Sequence, residues 1–161
     1  MKVLFLDIDG VLNHEKHYRW LMETDEPTPL QRVYPYSEFN PVSCQILNKI
    51  IEETGCKIVL SSTWRLDGLQ YMNNIFKHVG IFHKLYDITP SLAYEYSTIL
   101  CRGKEIDKWL SEHSEVTKYA IVDDDNDMEE YQLPYFVKTD AYTNGLNEEI
   151  AEKLIKILNG K

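Results

Sequence analysis

The sequence predicts an α/β sandwich of helices around a mainly parallel sheet, and three observations carry that prediction. Short apolar runs at residues 3–6, 58–60 and 119–122 are continuous rather than alternating, as strands buried on both faces require. Segments with apolar residues at helical spacing lie between them. Each run ends in polar side chains: Asp7 and Asp9, Ser61 and Ser62, Asp123 and Asp124. In an open parallel sheet the carboxyl ends of the strands border the ligand crevice, so the third observation bears on fold and function together.

The first strand runs straight into Asp7-Ile8-Asp9-Gly10. Gly10 permits a sharp turn, and two carboxylates aimed at one small volume need a cation or a shared proton. Residues 13–39 lack sustained periodicity and read as a lid-like insertion over the mouth of that strand, with one short helix near 18–22. Within it, His14 and His17 read as solvated loop histidines rather than ligands. Arg19 and Arg32 read as surface arginines, with a substrate phosphate as the alternative partner.

Order returns at Asn40-Pro41, an N-cap followed by proline at the first helical position. Val42, Ile46, Ile50 and Ile51 then mark an apolar helix face that Gly55 closes. The second strand, 57–60, delivers hydroxyls at Ser61 and Ser62. Leu69, Met72, Phe76 and Val79 make a helix over 68–79, closed by Gly80, and a weaker strand follows at 84–88. Arg102-Gly103-Lys104 opens a third helix through Ile106, Trp109 and Leu110. The strand at 119–122 enters the acidic run from Asp123 to Asp127, and a short strand lies at 135–137. Asn144-Gly145 then turns the chain into a closing helix with Ile150, Leu154, Ile157 and Leu158 on one face. Trp64 and Trp109 read as packing residues.

The 161 residues read as one domain with material for a real core; 43% hydrophobic and 27% charged residues fit a soluble globular chain. A formal net charge of −9 argues against gripping duplex nucleic acid through many phosphates, which needs a basic footprint, but it leaves room for a nucleic-acid end held locally at a metal. No stretch approaches the ~20 apolar residues of a membrane span, and the apolar run before Asp7 is too short for a signal peptide. Cys44, Cys56 and Cys101 form no CxxC pair, so the expected compartment is the reducing cytoplasm.

Hard oxygen donors from at least three aspartates suit Mg²⁺, and the absence of cysteine and histidine from the strand ends argues against zinc. An EF-hand is rejected. Asp123, Asp125 and Asp127 imitate its first ligand positions, but its glycine position holds Met128, its glutamate position holds Pro134, and a strand precedes the run. With a metal bound, Asp7 is placed to attack phosphorus while Asp9 protonates the leaving oxygen and then deprotonates the hydrolytic water. Arg102 or Lys104 stabilises the transferring group, and the Ser61 hydroxyl holds one of its oxygens.

These residues together resemble the haloacid dehalogenase (HAD) superfamily of Mg²⁺-dependent phosphatases with an aspartate nucleophile. The Asp-x-Asp-Gly-Val motif matches residues 7–11, the apolar strand ending in serine matches 58–61, the basic residue near a helix start matches Arg102-Gly103-Lys104, and the strand ending in paired aspartates matches 119–124. Ser-Ser-Thr-Trp-Arg and Arg-Gly-x-Glu-Ile-x-x-Trp-Leu are similar to segments of the HAD domains associated with RNA-repair and polynucleotide-phosphatase proteins.

The resemblance implies a three-layer Rossmann-like sandwich with strand order 3-2-1-4-5 and a minimal cap. It makes Asp7 the nucleophile, Asp9 the acid/base, and Arg102 ahead of Lys104 the third-motif cation. Asp7, the Asp9 backbone carbonyl and Asp123 become Mg²⁺ ligands, with Asp124 or Asp127 holding a metal water. Ser61, ahead of Ser62, and Gly10 fall at the phosphate, and Arg65 is a further candidate to bind it. The implied substrate is a nucleotide, a nucleic-acid end or a small phosphorylated metabolite. The alternative is a non-catalytic module, HAD-like or receiver-like, that binds phosphate or a partner. A receiver ends a middle strand in its acceptor aspartate, whereas here that strand ends in Ser61.

Overall fold

The computed structural model of the chain describes residues 1–23, 38–92 and 102–160. Arg32, Cys101 and residues 24–37 of the insertion lie outside them. Five strands form one sheet: β1 (Lys2–Leu6), β2 (Lys57–Leu60), β3 (Leu85–Ile88), β4 (Lys118–Asp123) and β5 (Phe136–Lys138). Their order is β3-β2-β1-β4-β5 and every pairing is parallel. This is the α/β Rossmann-like arrangement the sequence predicts.

The continuous apolar runs have a direct cause, since both sheet faces are covered. Leu4, Leu6, Ile58, Leu60, Ala120 and Val122 enter one core with α2 (Pro41–Thr54), α3 (Leu69–His78) and α5 (Glu148–Asn159). Val3, Phe5, Val59 and Ile121 enter the other, against Ile106 and Trp109 of α4 (Arg102–Ser111). Trp109 is a packing residue, buried edge-on to Phe5 with its Nε1–H donated to Asp87 at 2.6 Å.

Caps set the helix limits. The Asn40 side chain accepts from the Val42 and Ser43 N–H groups, and Gly55, at φ 67°, closes α2. The buried arc of α2 runs through Ser43, Ile46, Leu47 and Ile50, one position on from Val42, which is exposed. The short helix of the insertion is α1 (Glu15–Glu23), longer than expected. His17 belongs to it and is buried, stacked on Trp20, so it is not a solvated loop histidine. Arg19 pairs with Glu15 one turn away on the same exposed surface. Two 3₁₀ turns, Thr63–Asp67 and Glu130–Tyr135, follow β2 and precede β5. Cys44 and Cys56 are buried free thiols, and burial pushes Cys44 up to about 12. Among the described residues no helix is long and apolar enough to cross a membrane.

Candidate active site

Leu6 pairs with Leu60 on one side and Val122 on the other, so the next residues of the three central strands, Asp7, Ser61 and Asp123, lie at one level. The ladder carries them: Asp7 N–H donates to the Val122 carbonyl at 3.1 Å, and Ser61 N–H to the Leu6 carbonyl at 2.9 Å. Because side chains alternate along a strand, these three continue the face of Phe5, Val59 and Ile121, the face covered by α4. Gly10 follows with φ 71°, and a Cβ there would stand 2.5 Å from Asp124 Cγ, so the glycine admits a further carboxylate. Thr139, just after β5, donates its hydroxyl to the Gly10 carbonyl at 2.9 Å and fixes the turn. Asp7, Asp123 and Asp124 each place an oxygen so that all three lie within 4.8 Å of one another.

α4 delivers the cation. Asp127 accepts the Arg102 N–H on its carboxylate at 2.9 Å, and its carbonyl accepts the Gly103 N–H at 3.1 Å, so it caps the helix from a distant loop. Gly103 makes that approach possible, since a Cβ would stand 2.5 Å from Gln132 Oε1 and 2.6 Å from the Glu129 nitrogen. The Arg102 guanidinium then reaches Asp7 at 3.5 Å and Asp123 at 3.3 Å. Lys104 is exposed to solvent.

Charge in this crevice is unbalanced. Burial pushes Asp7 up to about 6, with Arg102 and the Ser62 hydroxyl opposing the rise and Asp9 adding to it. Burial pushes Asp123 up to about 7, with the Asp7 charge adding and Arg102 opposing. Asp124 is raised as well, chiefly by burial. One guanidinium therefore does not compensate the carboxylates. A divalent cation of the Mg²⁺ type fits this donor set: the oxygens are hard, and the buried Asp123 Oδ2 has an ion pair but no hydrogen bond among the described residues.

Other predicted residues fall at differing places. Ser61 Oγ is fully buried with no hydrogen-bond partner among the described residues, and Arg102 Nη1 is likewise a buried donor without one. Ser62 caps the 3₁₀ turn through the Trp64 N–H, and its hydroxyl is the group beside Asp7 that opposes the rise in that carboxyl's pKa. Asp9 is exposed, outside the three converging carboxylates. Its Oδ1 accepts from Asn13 Nδ2 at 2.8 Å and its Oδ2 from Trp64 Nε1 at 3.0 Å.

Two of the predicted residues are engaged by partners within the fold. Arg65 does not face the crevice as a free cation. It is 6% exposed and bonded to Glu105 at 2.6 Å and to the Ser62 carbonyl at 2.8 Å, while its buried Nε–H has no hydrogen-bond partner among the described residues. Asp127, the alternative to Asp124 at a metal water, caps α4 through its Oδ2. Sequence reading missed Asn13, Glu105 and Thr139 and gave Trp64 to packing alone. Glu105 had a signal: a lone carboxylate one position before Ile106 on the buried face of a helix needs an arginine. Asn13 and Thr139 had none, since loop register decides their contacts.

Aspartates ending two adjacent parallel strands, a serine ending the strand on the other side of Asp7 and an arginine at a facing helix start fit a domain of the haloacid dehalogenase superfamily. More narrowly, residues 3–151 match the family described as the HAD domain in Swiss Army Knife RNA repair proteins, and the chain belongs to that family. No curated protein and no solved structure gives a significant match. Membership supports a HAD-type, phosphatase-like hydrolase role in general terms.

Proposed function

We propose that the protein is a Mg²⁺-dependent phosphomonoesterase that works through an aspartyl-phosphate on Asp7. The observation that carries this reading is the convergence of Asp7, Asp123 and Asp124 beside Arg102, with Ser61 Oγ and Arg102 Nη1 left as buried donors without hydrogen-bond partners among the described residues. An Asp7 oxygen attacks phosphorus, the bond to the leaving oxygen breaks, and Asp9 gives that oxygen its proton. Asp9 then takes a proton from water, which attacks the phosphorus, frees phosphate and restores Asp7. Ser61 and Arg102 hold the phosphoryl oxygens as their charge grows. Asp7, Asp123, Asp124 and the Asp9 carbonyl would hold a divalent cation, which would supply charge neutralisation. Arg65 keeps the Ser61-Ser62 segment in place from behind.

The substrate is read as a phosphorylated nucleotide or nucleic-acid end, with small metabolites as the rival class. The family description, which names RNA repair, supports this, as does a cleft of about 330 Å³ beside Gly10 and Asn13 lined by Tyr18 and Tyr142. Base faces stack on such rings. The net charge of −9 favours an end over an extended duplex. Release of phosphate from an aryl phosphate in Mg²⁺, lost in EDTA and in Asp7→Asn, tests the activity; undiminished release by Asp7→Asn contradicts it. Oligonucleotides phosphorylated at either end, assayed beside phosphorylated metabolites, test the substrate class.

A further inference from the structure

Both oxygens of the Asp9 carboxylate are held by donors from separate parts of the chain. Trp64, in the 3₁₀ turn after β2, donates Nε1–H to Oδ2 at 3.0 Å, and Asn13, in the turn after β1, donates Nδ2–H to Oδ1 at 2.8 Å. Each donor is itself fixed. Trp64 stands edge-on to the buried Phe39, with ring centroids 5.4 Å apart and planes at 83°. Asn13 accepts the Gly10 N–H on its Oδ1 at 2.9 Å. An ionised carboxylate offers about four lone-pair sites, so two N–H donors set its plane and still leave a site for a proton on each oxygen. An indole N–H donates and cannot accept, so Trp64 cannot replace Asp9 as the proton carrier.

We infer that Trp64 and Asn13 are positioning residues that hold the Asp9 carboxylate in the orientation from which it protonates the leaving oxygen. The inference rests on the proposed acid/base role of Asp9. Its consequence is selective. A weakly basic aryl oxygen departs without a proton, whereas a sugar or alkyl oxygen does not. Misorienting Asp9 therefore harms esters of ordinary alcohols and spares activated aryl esters, while general damage around Asp7 harms both alike.

The test compares kcat/KM, which reports steps through the first P–O cleavage, for a nucleoside 3′-monophosphate and for dinitrophenyl phosphate. Trp64→Phe keeps the ring packed on Phe39 and removes the N–H; Asn13→Ala removes the other donor. For Trp64→Phe the loss is expected to be about tenfold or more on the nucleotide and about twofold or less on the aryl ester. Asn13→Ala is expected to discriminate in the same direction. Equal losses on both esters, or no loss on either, overturn the inference. Asp9→Asn is the reference. If it fails to discriminate, the acid role of Asp9 falls; if it discriminates and the Trp64 and Asn13 variants do not, the positioning role alone falls.

Discussion

At the scale of single residues, Gly10 meets two demands at once: a positive φ, and a Cβ volume already filled by the Asp124 side chain. Gly10→Ala is expected to displace Asp124 and weaken Mg²⁺ binding about 10- to 100-fold, as read by calorimetric titration. The two basic residues at the start of α4 are expected to separate sharply. Arg102→Ala should lose about 100-fold or more in kcat, and Lys104→Ala, at an exposed position, about twofold or less. Comparable losses in both variants would contradict the assignment of Arg102. The aspartates were legible in the sequence because a carboxylate directly after a buried apolar run has few structural uses. Trp64 was not, because an aromatic beside a strand end is ordinary packing, and nothing local shows that its N–H meets Asp9.

Among the elements, α4 matters most, since it carries Arg102 toward the sheet and Glu105 against Arg65. The Arg65–Glu105 pair is buried on both sides, at 6% and 7% side-chain exposure, so removing one partner leaves an uncompensated charge. Glu105→Ala is expected to cost about 3–5 kcal/mol in urea unfolding, against less than about 1 kcal/mol for the exposed Lys153→Ala. Strands and long helices were readable because burial on two faces and caps such as Asn40 and Gly55 leave marks in composition. The 3₁₀ turns at Thr63–Asp67 and Glu130–Tyr135 were not, being too short for periodicity. Yet the first presents Trp64, and the second packs on Gly103 through Gln132.

Across the whole molecule, the aspartate cluster couples folding to protons, and a metal bound there would couple it to metal as well. Asp7 and Asp123 bind protons more tightly in the folded chain than at the ordinary value of 3.8, so unfolding releases protons. Their contribution to stability is present below 3.8 and is lost as pH rises through about 6 for Asp7 and about 7 for Asp123. In EDTA the Tm is therefore expected to fall over that window, with Asp123→Asn showing a shallower fall. Added Mg²⁺ should raise Tm more at the top of the window than at the bottom, because it binds the ionised carboxylates. The central claim is that Asp7 itself carries the phosphoryl group. Borohydride quenching during turnover, followed by peptide mass spectrometry, tests it most directly, since an aspartyl-phosphate is reduced to homoserine. Homoserine at position 7, dependent on substrate and Mg²⁺, is the predicted result; steady turnover with Asp7 unmodified, or reduction at Asp9 or Asp123 instead, would contradict it.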